Sequence, residues 1–151
     1  MSNIAVKSEK VIARPIDEVR SQFVDFAHHE RAGVHKGLQV SNVRQSGTGC
    51  TYTGRRRVFG MLQEDEFEVR VNPDGGSTMR SVSGANAGTT IKQAFQSLGP
   101  AKTLVRLEVD MPLKGLFRLL APLIRVGIQQ DLKSALEEDR IDLEERGYTK
   151  S

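Results

Sequence analysis

Four features of this chain could do chemistry: an arginine and an aspartate on facing strands, three histidines close together, one cysteine and one nearby tyrosine. Residues 51–59 and 62–72 alternate in polarity and flank Gly60-Met61, a two-residue turn with glycine first. That register sets Phe59 opposite Leu62, Arg57 opposite Glu64 and Arg55 opposite Glu66, the last two being opposite-charge cross-strand pairs. The other face then carries Tyr52 with Val69, Gly54 with Phe67, Arg56 with Asp65, and Val58 with Gln63. Phe67, Val69 and Val71 mark this second face as the buried one. An Arg56–Asp65 pair there is costly to desolvate. It can orient a carboxylate or phosphate head group, which the arginine fork suits, or it can be a solvated contact at a wet rim.

His28, His29 and His35 are all the histidines in the chain. Such clustering suggests metal binding or proton transfer. Adjacent residues of a helix point ~100° apart, and Gly33 lies before His35, so this spacing defines no ligand set; His-Glu-x-x-His is absent. The expectation is no metal and no cofactor, with the histidines at a cavity mouth or on the surface. Cys50 has no activating neighbour in sequence and reads as a small packing residue. Tyr52, facing inward, needs a partner for its hydroxyl and can serve as a hydrogen-bond donor or acid.

The elements that must position these groups follow from periodicity. Residues 4–13 form a first strand rich in β-branched side chains. Pro15, Asp17 and Glu18 then open a helix that carries Val19, Phe23 and Phe26 and ends near Asp25. A short helix or turn covers residues 28–32, and Gly33 and Gly37 bracket a loop. Strands follow at residues 38–43, 51–59, 62–72 and 77–83, with turns at residues 46–49 and 72–76 and a loop at residues 84–88. Residues 89–98 and 101–111 make a last hairpin whose inward face carries Ile91, Phe95, Val105, Leu107, Val109 and Met111.

After Pro112 comes one long amphipathic helix, residues 114–148. Its stripe is Phe117, Leu120, Ile124, Ile128, Leu132, Leu136 and Leu143. Pro122 should bend it. Leu116, Leu119 and Leu123 widen the stripe near its start, as a pocket lid or a dimer contact would require. The charged groups at residues 137–140 and 144–146 read as solvated, which disfavours a helix lying on a membrane.

A chain of 151 residues suggests a single domain over residues 1–151 with a core that needs no staples. The single cysteine rules out an intramolecular disulfide and, with no signal-like or membrane-length apolar run, suggests the cytoplasm. A net charge of +3 with mixed signs and no tryptophan gives neither a basic stripe nor a stacking platform, so nucleic acid is not expected as a partner.

The order strand, two helices, six strands in hairpins and a long C-terminal helix resembles the START-like (SRPBCC, helix-grip) superfamily, which includes polyketide cyclase/dehydrase and lipid-transfer-like proteins. Ile12-Ala13-Arg14-Pro15-Ile16-Asp17-Glu18-Val19 resembles its strand-to-helix entry. The resemblance covers essentially the whole chain. It implies an α+β fold in which a curved seven-stranded antiparallel sheet wraps the C-terminal helix around a pocket, and a hydrophobic or amphipathic ligand such as a lipid, quinone or polyketide. Tyr52, Arg56, Asp65 and Phe67 would line that pocket from one hairpin. Phe95 and Leu107 would line it from the other, and Leu120 and Ile124 from the helix. Two alternatives stay open. In one, a cyclase/dehydrase-type enzyme uses Tyr52, Arg56 and Asp65 on an oxygenated substrate. In the other, the domain is a dimerising interaction module with a small cavity. The chain is expected to be a monomer or homodimer without stable membrane insertion.

Overall fold

The computed structural model describes residues 3–58 and 60–150. Strand β1 (Asn3–Ile12) leads into helices α1 (Ile16–Val24) and α2 (Phe26–Ala32). Strands β2 (Gln39–Ser46), β3 (Gly49–Val58), β4 (Met61–Val71), β5 (Ser77–Gly84), β6 (Thr90–Gly99) and β7 (Lys102–Pro112) follow, and helix α3 (Ala121–Glu144) closes the chain. The strands form one antiparallel sheet in the order β1-β7-β6-β5-β4-β3-β2. Register shifts in β2, β4 and β6–β7 supply the local bends that an open sheet needs to curve around a helix. This is the α+β helix-grip architecture.

Two departures from the expected elements have clear causes. Residues Gly115–Leu120 form a separate 3-10 turn, so α3 begins at Ala121. Pro122 therefore sits in the first turn, where its missing N–H has no partner to lose, and it starts the helix rather than bending it. The β3–β4 hairpin is shifted by two residues from the expected register. Val58 pairs with Met61, Arg57 with Leu62, Arg56 with Gln63, Arg55 with Glu64 and Gly54 with Asp65. Gly60, at φ +78°, takes the second turn position, which needs left-handed backbone. The expected partner of Leu62, Phe59, lies outside the described residues. Val71, expected inward, is 38 % exposed.

Packing divides the interior in two. One cluster joins β1, β7, α1 and α3 through Ile4, Val6, Ile12, Val19, Phe23, Val105, Leu107, Leu136 and Leu143. The second joins α2 to the far half of the sheet through Phe26, Val40, Cys50, Tyr52, Val69 and Met79. Half-buried Ile91 packs against both. Among the described residues no helix is long and apolar enough to cross a membrane.

Candidate functional site

Helix α3 does not lie over the middle of the sheet. One flank follows the edge strand β1, where Arg125 donates to the Ala5 carbonyl at 2.8 Å and Gln129 to the Lys7 carbonyl at 3.1 Å. Further along, Lys10 of β1 pairs with Glu137 at 3.0 Å. Leaning this way puts positions 124, 127 and 131 of α3, with Leu120 in the turn before it, on the side away from β1. That flank is sparsely covered. Leu120 is 44 % exposed, Ile124 is half-buried, and a Cβ on Gly127 would meet nothing within 4 Å. Across from it Phe67, Ile91 and Phe95 are also only half-buried. Arg56 spans from β3 to Asp131 at 3.4 Å.

The sequence-derived site residues fall into three groups. Arg56, Phe67, Phe95 and Ile124 are half-buried and Leu120 is exposed, with Phe95 edge-on to Phe23 at 5.4 Å. Tyr52 and Leu107 are core residues, 3 % and 5 % exposed. Tyr52 stacks between Phe26, at 4.3 Å, and Phe67, at 5.1 Å, and its hydroxyl donates to Met79 Sδ at 3.0 Å. Burial pushes its phenol pKa far up. Asp65 does not pair with Arg56. It is buried, and its carboxylate accepts from Ser81 Oγ at 3.1 Å and from Asn86 through its backbone N at 2.7 Å and its Nδ2 at 2.9 Å. The expected Arg56–Asp65 pair is absent because the two-residue shift sets Gly54 opposite Asp65.

Cys50 is buried and burial pushes its thiol up to about 11. A group so rarely ionised at neutral pH is a poor nucleophile. The expected outcome with a disulfide exchange reagent at pH 8 is negligible labelling of native protein and one thiol per chain after denaturation. Rapid native labelling would mean that β3 is open to solvent.

The histidines, expected on the surface or at a cavity mouth, are instead packed against the C-terminal half of α3. His28 Nε2 lies 2.8 Å from Asp142 Oδ2, and His29 Nε2 lies 3.2 Å from Asp139 Oδ1. His35 Nε2 lies 3.5 Å from the same Asp139 oxygen, with its Nδ1 3.1 Å from Glu138 Oε1. Gln22 of α1 donates its Nε2 to both Asp139, at 3.0 Å, and Asp142, at 2.9 Å. Both aspartates are buried, at 4 % and 2 % exposure; for Asp139 this overturns the expectation of solvated charge over residues 137–140. Burial disfavours a charged His29, but the Asp139 hydrogen bond and charge outweigh this and raise its pKa. Burial would raise Asp139, but the neighbouring His35 and His29 hold it below the usual carboxylate value. Tyr148 joins the edge of the cluster, donating to Asp25 Oδ2 at 2.8 Å, with burial pushing its phenol up to about 12. Sequence could have flagged this cluster only through Asp139 and Asp142, which flank the apolar stripe at Leu136 and Leu143.

Two shallow hollows also line β1 and β7, bordered by Lys7, Glu108 and, in one, Arg106 and Lys133. Their charged rims do not suit an apolar ligand.

An open antiparallel sheet gripping a C-terminal helix, with a sparsely covered flank between them, defines the START-like class of folds. Solved structures bear this out over nearly the whole chain. The protein TTHA0849 from Thermus thermophilus superposes with a TM-score of 0.85 at 17 % identity, covering 96 % of this chain and 100 % of that one. The Zhui aromatase/cyclase from Streptomyces sp. R1128 gives 0.76 at 13 % identity, covering 98 % and 100 %. A START superfamily protein from Mycobacterium smegmatis gives 0.71 at 14 % identity, covering 92 % and 98 %. The chain therefore has the START/SRPBCC fold. No family model and no curated protein matches its sequence.

Proposed function

We propose that this domain binds a hydrophobic or amphipathic small molecule, of lipid, quinone or polyketide type, in a cleft between the inner sheet face and the flank formed by Leu120 and the Ile124–Asp131 part of α3. The observation that carries this reading is the thin cover on this flank, where Gly127 is exposed with nothing within 4 Å of a Cβ and Ile124, Phe67 and Phe95 are only half-buried. Apolar groups left partly covered regain burial when a ligand fills the gap, at ~25 cal/mol per Å² before binding costs.

The direction of the cleft follows from two contacts. Phe26, which stacks on Tyr52, also lies against His29, whose Nε2 is 3.2 Å from Asp139, while Arg56 is 3.4 Å from Asp131. Four strand residues advance ~13 Å and eight helix residues ~12 Å. Helix and hairpin thus run in step, which brings the β3–β4 turn level with the first turns of α3. The large apolar side chains exposed there, Met61, Leu62, Phe117 and Leu123, suit a mouth that an apolar molecule crosses. Arg56, bound to an exposed Asp131, is free to exchange that partner for a carboxylate or phosphate on the ligand. Leu107, Tyr52 and Asp65 then act from behind the lining, by shape and rigidity.

The cyclase/dehydrase alternative needs Tyr52, Arg56 and Asp65 to converge on one reacting atom. The Tyr52 hydroxyl is engaged with Met79 and the Asp65 carboxylate with Ser81 and Asn86, so the binding reading is preferred.

Native mass spectrometry of gently purified protein, with a fluorescent apolar dye as probe, tests the proposal. Gly127→Leu should weaken dye binding about tenfold or more by filling the cleft. It should also raise helix stability by about 0.5–1 kcal/mol, since leucine is the better helix former. Unchanged dye affinity in a folded variant, or no dye binding by the parent protein, would sink the cleft reading and favour the interaction module.

A further inference from the structure

We infer that His29, His35 and Asp139 form a binding site for one divalent transition-metal ion of the zinc or iron(II) class, joining α2 and the α2–β2 loop to α3. The reading is separate from the ligand cleft and rests on a different set of side chains.

The first argument is the direction of the lone pairs. His29 Nδ1 lies 2.9 Å from the Asp25 carbonyl, which can only accept, so Nδ1 carries the proton. His35 Nδ1 faces the Glu138 carboxylate at 3.1 Å, which fixes its proton in the same way. In the neutral imidazoles both Nε2 atoms then present lone pairs, and both aim at Asp139 Oδ1, at 3.2 and 3.5 Å. A metal ion placed between these three atoms would take over the position of the proton that His29 otherwise shares with Asp139. A backbone carbonyl and a carboxylate behind two imidazoles are also the outer partners that metal-ligating histidines use, because they fix the tautomer and the ring orientation.

The second argument is distance. Ligand atoms held tetrahedrally at ~2.0–2.2 Å from zinc lie about 3.3–3.5 Å from one another. The two measured edges, 3.2 and 3.5 Å, have that length, and all three donor atoms lie within 4.8 Å of each other. His35 sits on the short loop between α2 and β2, so the remaining edge closes by a small loop movement. Two imidazoles and one carboxylate suit zinc or iron(II) and poorly suit magnesium or calcium, which take oxygen ligands.

The third is an orphaned acceptor. Gln22 is fully buried and its Nε2 is held by Asp139 and Asp142, but its Oε1 has no hydrogen-bond partner among the described residues. The side chain that grips Asp139 thus carries an acceptor still open to a donor such as a metal-bound water.

Chelator-treated full-length protein titrated calorimetrically with Zn2+, and with Co2+ followed by visible absorption, tests the site. The expected result is one equivalent bound, a tetrahedral or five-coordinate Co2+ spectrum, and a rise in Tm with Zn2+ but not with Mg2+. His35→Ala, a loop change that spares the helices, should lower affinity at least a hundredfold and abolish the Tm rise. Glu138→Gln, which keeps all three ligands, should lower it about ten- to a hundredfold. His28→Gln, beside the site but outside the ligand set, should change affinity only a few-fold. Failure of the parent protein to bind either metal, or equal losses in His28→Gln and His35→Ala, would overturn the assignment.

Discussion

Replacing Asp139 with alanine should destabilise the metal-free protein by about 3–5 kcal/mol, the cost of removing one partner from a buried charged pair. The carboxylate is 4 % exposed and is the point where Gln22 Nε2, His29 Nε2 and His35 Nε2 meet. Its loss leaves one Nε2 hydrogen of Gln22 and the Nε2 atoms of His29 and His35 without this partner, while Gln22 keeps Asp142 and the two Nδ1 atoms keep theirs. Urea unfolding followed by circular dichroism measures this directly. A loss below about 1 kcal/mol would mean that solvent reaches the cluster and that its hydrogen bonds are worth only what surface pairs are worth. Asp139→Asn should fall between the two, because it keeps an acceptor for Gln22 but gives up the charge opposite His29.

Asp65→Ala should cost about 2–4 kcal/mol, through the groups it leaves unpaired rather than through any ligand. Three donors converge on this carboxylate: Ser81 Oγ, the Asn86 backbone N and Asn86 Nδ2. Each buried donor left unsatisfied costs roughly 1–3 kcal/mol, though Asn86 Nδ2 keeps its bond to Gln63 Oε1. The carboxylate thereby ties the loop after β5 to β4, next to the register shift at Glu66/Phe67. Thermal unfolding alongside dye binding separates the roles. A stability loss with dye affinity kept in the folded fraction supports a structural Asp65. Unchanged stability with lost binding would return it to the ligand site.

These two aspartates show what could be read from the chain. Alternation along the strands and the 3.6-residue stripe of α3 are local signals, and they were enough for the order of elements and the helix-grip fold. The β3–β4 register was two residues out for a physical reason. Arg55 can face Glu64 or Glu66 with equal charge logic, and a two-residue slip leaves every side chain on its own face. Only Gly60's left-handed backbone decides between them. The face assignment therefore held for Tyr52, Arg56 and Asp65, while the Arg56–Asp65 pair did not. The histidine cluster was out of reach because its partners lie more than a hundred residues away, on a segment whose composition reads as solvated.

The two margins of the sheet meet a potential neighbouring chain in different ways. β1 is sheathed, since Arg125 and Gln129 already occupy carbonyls that an incoming strand would claim. β2 has no strand beyond it, but Asn42, at φ +53°, interrupts its pairing with β3 between Ser41 and Arg44. What remains are two runs of three residues, 39–41 and 44–46, offset by the bulge. Neither is long enough to template a continuous ladder. Neither margin therefore offers a long, continuous row of unclaimed backbone groups, and the sheet resists growing edge to edge into fibres.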